Sequence, residues 1–307
     1  MLKSLRVYPV GATGPIFIAI AALLWALDGI LRRSLFTLPP VVIVFYEHLL
    51  GAILIAPFFF SKIAKERLTK TEWSAVVWVS FFSSLLGTLL FTAALVQTQF
   101  IPFSVVFLLQ KLQPVFAVVT GAVVLKESLS RQYFKWAGLA LVAAYFVTFK
   151  NGLVNFSTGG GTALAALMAV GAAFAWATST AFSRTALLHH SHTLITGLRF
   201  WLATPMAFMA VLFLGQQAHL SEVTPGQLLR LLAIALSTGL VALWIYYRGL
   251  KYTEVKVATI VELIFPVTAV FIDIFLYHTI LAPSQYLAAL VLLFAVYQVS
   301  ALNRSVS

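Results

Sequence analysis

The chain has 307 residues, of which 61% are hydrophobic and 9% are charged, and its mean hydropathy is +0.99. A water-soluble globule of this length could not enclose so large an apolar fraction in its core, so the composition excludes an ordinary soluble protein. The net charge of +11 comes from Lys and Arg scattered between apolar runs rather than gathered in a basic domain, which argues against a nucleic-acid-binding protein.

The apolar runs predict an all-α, polytopic membrane protein. A helix that crosses a bilayer needs roughly 20 predominantly apolar residues. Ten runs meet this requirement, near residues 15–31, 40–60, 73–97, 102–125, 133–149, 162–183, 193–214, 228–247, 255–277 and 283–302. With the N-terminus in the cytoplasm, fourteen Lys and Arg residues lie on the inner side and four on the outer side, namely Arg32, Arg33, Lys150 and Arg230. This asymmetry predicts cytoplasmic termini.

The chain divides into two similar halves. The segment 151–161, NGLVNFSTGGG, is the most loop-like stretch and predicts a linker between residues 1–150 and 162–307. Trp25 and Trp176 lie in similar small-residue stretches, AALLWA and AAFAWA, and each half contains a proline within its fourth span. Because each half has five spans, the second half enters the membrane from the opposite side. Inverted repeats of this kind are typical of secondary transporters, with the substrate site between the repeats.

Several of these features together resemble a known family. They are Trp25, Trp176, Ala94-Leu95, Gly249-Leu250, Pro114, Pro266, Glu127 and Arg199. Over nearly its whole length, the chain resembles the EamA-type, ten-helix members of the drug/metabolite transporter superfamily. The resemblance implies a secondary transporter in a bacterial inner membrane that exports or exchanges small metabolites, often amino acids.

Polar residues within the apolar runs are the candidates for the substrate site. Charged groups at the bilayer centre cost about 3 kcal/mol on insertion scales, so they usually face a cavity or a partner. Lys111 and Glu262 are the deepest of them. We expect this pair either to bind a zwitterionic substrate or to form a permanent salt bridge between spans four and nine. The neighbouring substrate-binding candidates are Gln110 and Gln113.

Prolines lie close to both of these charges. A proline within a helix frees the carbonyl four residues earlier, so Pro114 and Pro266 are predicted helix breaks that expose the carbonyls of Gln110 and Glu262. Exposed carbonyls are tolerated in a membrane only where they line a cavity or lie buried in protein. Both breaks therefore predict a central cavity.

Other intramembrane residues are candidates with weaker support. Asp28 either contacts the substrate or anchors span one through Arg32 at i+4. Trp25, Trp176 and Tyr46 are predicted to flank the substrate. The candidates for gating or coupling are Glu47, His48, Arg199 and Asp273.

The sequence favours no enzyme. Gly159–Gly161 lacks the Lys and Ser/Thr that follow the glycines of a phosphate-binding loop, so no nucleotide cofactor is predicted. The histidines His189, His190 and His192 predict a solvated loop rather than a metal site, because no carboxylate or cysteine supports them in the sequence. The alternatives left open are a carrier of organic cations and a membrane scaffold. Proton coupling through Glu262 or Asp28 and simple facilitated exchange are equally consistent with the sequence.

Overall fold

A computed structural model describes residues 13–97, 100–113, 115–116, 119, 130–153, 159–253, 261–262 and 264–302. Within these residues, helices fall in all ten predicted spans and no strand is found. The helices, labelled α1 to α10 in chain order, are Thr13–Arg33, Pro40–Ile63, Lys70–Val96, Phe103–Gln110, Arg131–Thr148, Gly159–His189, His192–Phe213, Pro225–Leu250, Ile264–Phe275 and Pro283–Leu302. Six of them, α1, α2, α3, α6, α7 and α8, are long and apolar enough to cross a membrane. The predicted all-α polytopic fold is confirmed.

Helices α3 and α8 share an unusual construction. Each begins with a capping box, at Thr69 and Thr224. The threonine hydroxyl accepts a hydrogen bond from the backbone amide of Glu72 or Gln227, and the side chain of that residue accepts one from the threonine backbone amide. Each then contains a π-helical segment, Ser80–Gly87 in α3 and Ile234–Gly239 in α8. π-Helical turns are rare and often lie at functional sites. Because α3 and α8 are the third spans of the two halves, the two segments occupy equivalent positions.

The fourth span is not one continuous helix. Helix α4 ends at Gln110, and Lys111 and Leu112 form a turn. The backbone of Lys111 has φ −71° and ψ 3°, and its amide donates to the Leu108 carbonyl. The lysine therefore lies at a break in the span rather than within regular helix. The predicted break at Pro114, and Glu127 further along, lie outside the described residues.

The ninth span differs from the prediction at Pro266. Helix α9 begins at Ile264, so Pro266 lies in its first turn, where a missing amide proton needs no intrahelical acceptor. The Glu262 carbonyl accepts a hydrogen bond from the Phe265 amide at 3.1 Å. Contrary to the expectation, the Glu262 carbonyl is therefore not left without a hydrogen bond, while Glu262 itself lies in a turn shortly before α9, close to the predicted break.

The predicted linker is shorter than the sequence indicated. Gly159–Gly161, assigned to the linker 151–161, form the first residues of α6. A Cβ atom at Gly161 would lie 2.5 Å from Phe100 Cδ1, and the neighbouring Thr162 hydroxyl donates to the Phe100 carbonyl at 3.0 Å. The glycine therefore permits close packing of α6 on the segment before α4, a role that a loop-like composition does not reveal.

Helix pairs from the two halves build the core. Helix α1 packs against α8 and α2 against α7, while α5 packs against α10. Phe103 and Phe107 are fully buried within the largest apolar cluster. Many large apolar side chains point outward instead, among them Phe213, which is 90% exposed, and Phe275, which is 73% exposed. An apolar outer surface of this kind is suited to contact with lipid tails.

Candidate functional site

A cavity lined by both polar and aromatic side chains lies between the two halves. It comprises about 1090 Å³ of space not filled by atoms, part of which is open to solvent. The predicted site residues that line it are Trp25, Asp28, Glu47, His48, Gln110, Lys111, Gln113, Trp176, Arg199 and Glu262. The structure therefore brings most of the intramembrane polar residues to one place.

Lys111 and Glu262 both line the cavity and form an ion pair there. Lys111 Nζ lies 3.6 Å from Glu262 Oε2 and 4.9 Å from the ring centre of Phe265. Glu262 Oε1 accepts a hydrogen bond of 2.9 Å from the Tyr246 hydroxyl. The Tyr246 ring lies 5.0 Å from the ring of Trp25. The charge pair is therefore bordered by aromatic surface, which lowers the local polarity and strengthens the ionic attraction.

Gln110 is the least satisfied polar side chain of the site. It is fully buried, and among the residues that the structure describes neither its Oε1 nor its Nε2 has a hydrogen-bond partner. A carboxamide that is buried without partners costs about 1–3 kcal/mol for each unpaired group, so such groups usually have a ligand or water in the working protein. Because Gln110 lines the cavity, a ligand there would gain both a donor and an acceptor.

Trp176 lies in the opening made by the π-helical segment of α3. Its Nε1 donates to the Ser83 carbonyl at 3.0 Å, and its ring lies 5.4 Å from the ring of Phe91. A Cβ atom at Gly87 would lie 2.5 Å from Trp176 Nε1, so only glycine leaves room for the indole in this position. The extra residue of a π turn frees carbonyls from the regular pattern, which explains why Ser83 can accept from a side chain.

Arg199 is held by hydroxyl groups. Its guanidinium donates to Ser84 Oγ at 3.0 Å, to Ser83 Oγ at 2.9 Å and to the Tyr247 hydroxyl at 2.5 Å. Within the described part of the chain, no carboxylate lies within 4.0 Å of Arg199. Among the described residues, the charge of Arg199 is therefore stabilised by hydroxyl dipoles rather than by an ion pair. His48 also lines the cavity, and its Nδ1 donates to the Val44 carbonyl at 2.8 Å.

The charge distribution of the sequence placed Arg32 in a loop on the outer side. In the structure it lies in the last turn of α1 instead. It is 3% exposed and lines the cavity. Its Nε donates to Asp28 Oδ2, its Nη2 lies 2.7 Å from Glu47 Oε1, and its Nη1 donates to the Thr92 hydroxyl at 3.0 Å. Asp28 and Arg32 therefore form part of a buried ion cluster with Glu47, rather than a simple anchor at the membrane surface.

Two of the candidate residues are not brought to the cavity. Tyr46 lies one residue before Glu47, but its hydroxyl donates to the Leu220 carbonyl at 2.8 Å, on the other side of α2. Asp273 is 1% exposed and its Oδ2 accepts from the Ser104 amide at 2.7 Å, in the first turn of α4. Asp273 therefore joins α9 to the start of α4 and lies apart from the cavity lining.

The histidine cluster has carboxylate partners that the sequence did not suggest. His190 Nε2 lies 3.2 Å from Glu72 Oε2 and its Nδ1 lies 3.4 Å from Glu66 Oε2, while His189 Nδ1 lies 3.2 Å from Glu72 Oε1. His190 is 8% exposed, so the expected solvated loop is wrong at this residue. Among the residues that the structure describes, no group of three or more His, Cys, Asp or Glu side chains could hold a metal ion.

Glu66 lies between α2 and α3 and contacts the turn before α7. Its carboxylate accepts from the Ser191 hydroxyl at 2.7 Å and from the Ser191 amide at 2.9 Å. Partial burial raises the pKa of the Glu66 carboxyl, but these bonds and the contact with His190 lower it by more, so its pKa lies below the ordinary 4.5. This contact joins the two halves at one end of the helix bundle.

Several residues that line the cavity were not among the site residues predicted from the sequence. They are Arg32, Ser83, Ser84, Tyr246 and Tyr247. The serines are common in apolar helices and carry no signal by themselves. The two adjacent tyrosines interrupt an apolar run shortly before Arg248, and this polar interruption in span eight was the signal that could have identified them.

Comparison with known proteins identifies the family of the chain. The model of the EamA-like transporter family matches the chain twice, over residues 12–149 and 163–301. The chain is 35% identical over 293 residues to a riboflavin transporter, ImpX, from Fusobacterium nucleatum subsp. nucleatum, covering 94% of this chain and 98% of that protein. A crystal structure with 15% sequence identity aligns with a TM-score of 0.61 over 96% of this chain and 99% of the other, which supports the fold alone. The chain belongs to the EamA-like transporter family and is a membrane transporter of small metabolites.

Proposed function

We propose that this protein is a secondary transporter of riboflavin that works by alternating access around the central cavity. The proposal rests on the relative that is named a riboflavin transporter and on one observation, the fully buried and unpaired carboxamide of Gln110 in an aromatic-lined cavity. Riboflavin has a flat tricyclic ring with an imide edge and a chain of hydroxyl groups. Each of these three parts has a chemical counterpart in the cavity.

The ring would stack against aromatic side chains. Trp25 and Tyr246 border one part of the cavity, and Phe91 and Trp176 border another. Stacking of a flat heteroaromatic ring on such side chains is worth about 1–3 kcal/mol. An amino acid with a small side chain would not use this surface, so the aromatic lining favours the flavin over the amino-acid substrate that the family resemblance implied.

Gln110 would bind the imide edge of the ring through hydrogen bonds. Its carbonyl oxygen can accept from the imide N–H while its amide donates to a neighbouring ring carbonyl, as carboxamides do with the edge of adenine. The hydroxyl chain would meet the cavity serines Ser179 and Ser183. A site built around such hydrogen bonds strongly rejects analogues that lack them, because its own groups are then left unpaired.

The test is riboflavin uptake into proteoliposomes by the wild type and by Gln110→Leu, compared with uptake of riboflavin methylated at the imide nitrogen. The wild type should prefer riboflavin by at least about tenfold. Gln110→Leu should raise KM by about the same factor and transport the two compounds equally. Equal transport of both compounds by the wild type would contradict the role of Gln110.

Gln285 supplies a matched control. It is also buried, but its amide donates to the Val147 carbonyl at 2.8 Å and its carbonyl oxygen accepts from the Ala282 amide at 3.0 Å, apart from the cavity lining. Gln285→Leu should lower thermal stability and leave the KM for riboflavin unchanged. An increase in KM in both variants would indicate a general effect of losing a buried glutamine.

An amino acid is the second candidate substrate. The 3.6 Å pair of Lys111 and Glu262 could separate to bind the carboxylate and the ammonium of a zwitterion. An organic cation would instead use Glu262 with the surrounding aromatic rings. Measuring whether amino acids or quaternary amines inhibit riboflavin uptake distinguishes a carrier of riboflavin, of amino acids or of organic cations. If the protein transports none of these compounds, a membrane scaffold is favoured.

We propose the inner membrane of a bacterium as the location, with both termini in the cytoplasm. The distribution of Lys and Arg among the loops supports this orientation, although Arg32 no longer counts as a loop residue. Reporter fusions at each terminus, one active only inside the cell and one only outside, test it. Activity of the outside reporter at either terminus would contradict the orientation.

A further inference from the structure

Arg199 differs from the other strong cations of the cavity in having no acid beside it. Three lysine and arginine side chains line the cavity, namely Arg32, Lys111 and Arg199. Arg32 Nη2 lies 2.7 Å from Glu47 Oε1, and Lys111 Nζ lies 3.6 Å from Glu262 Oε2. Among the described residues, no carboxylate lies within 4.0 Å of Arg199. An anionic ligand can therefore approach Arg199 without displacing an acid from it.

The guanidinium of Arg199 also has unused donors. Each of its three nitrogens donates one hydrogen bond, and the acceptors are hydroxyl groups on α3 and α8. Because a guanidinium has five N–H groups, two of them, one on each terminal nitrogen, have no acceptor among the described residues. Paired guanidinium N–H groups bind two oxygens of a phosphate or carboxylate group at once.

Three serine hydroxyls around Arg199 are unused as donors in the same way. Ser83 and Ser84 accept from Arg199, and Ser183 accepts from the Tyr247 hydroxyl at 3.1 Å. Within the part of the chain that the structure describes, none of these three hydroxyls has an acceptor for its own proton. All three serines are buried and line the cavity. Buried hydroxyl groups normally donate as well as accept, so this region is short of acceptors.

The unused donors and the positive charge indicate the chemistry of the missing ligand. Two N–H groups and three O–H groups lack acceptors around one cation. A phosphate monoester has three strong acceptor oxygens and a charge of about −1.5 to −2 at pH 7. A carboxylate has only two oxygens and a single negative charge. A phosphate group therefore matches this region better than a carboxylate does.

This region adjoins the surface that is proposed to hold the flavin ring. The Tyr246 ring lies 5.0 Å from the Trp25 ring and 6.1 Å from the Tyr247 ring. Arg199 Cζ lies 5.6 Å from the centre of the Tyr247 ring. A flavin ring stacked on Trp25 and Tyr246 would extend its hydroxyl chain past Ser183 toward Arg199. The chain ends in a primary hydroxyl group, which is the group that carries the phosphate in riboflavin 5′-phosphate.

We propose that Arg199 and the three serine hydroxyls around it bind the phosphate group of a phosphorylated substrate, so that the protein transports riboflavin 5′-phosphate as well as riboflavin. The inference rests on the proposed function and extends its substrate class to phosphate monoesters. The π-helical segment Ser80–Gly87 supplies two of the three serines, and π turns often lie at functional sites. Binding changes no covalent bond.

The experiment measures uptake of riboflavin and of riboflavin 5′-phosphate into proteoliposomes over a range of concentrations. The wild type should transport both compounds. Arg199→Met should lower the ratio of kcat/KM for the ester to kcat/KM for riboflavin by at least about tenfold, because the paired donors are lost. A smaller amount of folded protein affects both compounds equally and cancels in the ratio. An unchanged ratio would overturn the role of Arg199.

Two further variants test the donors without removing the charge. Arg199→Lys keeps the positive charge but not the paired N–H groups, so the ratio should fall by less than in Arg199→Met. Ser84→Ala removes one of the unused hydroxyl donors and should lower the ratio by about threefold. This variant decides the question if Arg199→Met does not fold, and an unchanged ratio in Ser84→Ala would then overturn the proposal.

Arg33→Met is the matched control. Arg33 is also an arginine of a membrane-spanning helix beside aromatic rings, those of Phe103 and Tyr277, but it does not line the cavity. Its replacement removes one positive charge and should leave the ratio unchanged. An equal fall of the ratio in Arg33→Met and Arg199→Met would assign the effect to the overall charge of the protein and overturn the site.

Inorganic phosphate distinguishes a phosphate group on the substrate from a free ion. Because it cannot stack on the aromatic rings, it should inhibit riboflavin uptake at least about tenfold more weakly than the ester does. Equal inhibition by the two would overturn the assignment of the site to the substrate. Transport of riboflavin but not of its ester by the wild type would overturn this inference and leave the proposed function intact. Transport of neither compound would overturn the function itself.

Discussion

The two halves of the molecule share a backbone feature and differ in what that feature holds. The π-helical segments of α3 and α8 end at Gly87 and Gly239. Beside Gly87 lies the indole of Trp176, and beside Gly239 lies the carboxylate of Glu47, each contributed by the opposite half. The same backbone opening therefore accepts an aromatic ring at one position and an acid at the other.

The charges differ in the same way. Glu47 and Arg199 are separated by the same number of residues as Gly87 and Gly239, so they occupy equivalent positions in the two halves. The first half therefore has an acid where the second half has a base. Glu47 is bound by the cation Arg32, whereas Arg199 is bound by neutral hydroxyls. The repeated backbone supplies the inverted framework, and the unequal side chains give the cavity two chemically distinct sides.

Removing the cation on each side should have the largest and most unequal effects. Arg32→Met removes the cation that contacts both the Asp28 and the Glu47 carboxylates and should lower the free energy of unfolding by about 3–5 kcal/mol. Arg199→Met strands only hydroxyl groups and should cost about 1–3 kcal/mol. Chemical unfolding in detergent micelles measures both. Equal losses would mean that the two sides are not electrostatically different.

The Lys111 and Glu262 pair joins the two halves, and breaking it tests whether it contacts substrate. Lys111→Met leaves Glu262 without its cation and should lower kcat/KM for riboflavin at least tenfold, about 1.4 kcal/mol of transition-state free energy. The double variant Lys111→Met/Glu262→Gln should recover stability but not flux, because the charge imbalance is gone while the cavity surface has changed. Recovery of flux in the double variant would identify a purely structural salt bridge.

Adding one methyl group to each glycine compares the two openings directly. In Gly87→Ala the new Cβ would lie 2.5 Å from Trp176 Nε1, and because the indole is rigid we expect a loss of about 1–3 kcal/mol. In Gly239→Ala it would lie 3.0 Å from Glu47 Oε1 and 3.2 Å from the Ile234 carbonyl oxygen, and because these separations are wider we expect a smaller loss of about 1 kcal/mol. Thermal unfolding measures the difference, and a larger effect at Gly239 would reverse this ranking.

The smallest effect concerns the contact between the halves at Glu66. Because its folded-state pKa lies below the ordinary 4.5, the charged carboxylate stabilises the fold above that pH, and the contribution is lost as the pH falls through the folded-state pKa. Glu66→Gln should therefore lower stability by about 1 kcal/mol at pH 7 and by less at pH 3. Unfolding midpoints at the two pH values measure this. A deficit that does not depend on pH would assign the effect to packing.

Some of the site could be predicted residue by residue from the sequence. Lys111, Glu262 and Gln110 interrupt apolar runs, and a membrane offers such residues little choice except a cavity or a partner. Arg32 could not be predicted in the same way, because at the end of an apolar run a buried arginine and a loop arginine have the same sequence pattern. Its burial depends on Glu47, which lies on another helix.

The sequence by itself determined that the chain crosses a membrane many times as helices, because unpaired backbone groups and so large an apolar fraction leave few alternatives. It also determined the division into two similar halves. Only the tertiary structure decided which polar groups meet. Asp273 and Glu47 are both acids within apolar runs, yet one bonds to a backbone amide of α4 and the other faces the cavity. That choice depends on helix rotation and on the π-helical openings, which are set by packing between distant helices and leave no local pattern in the sequence.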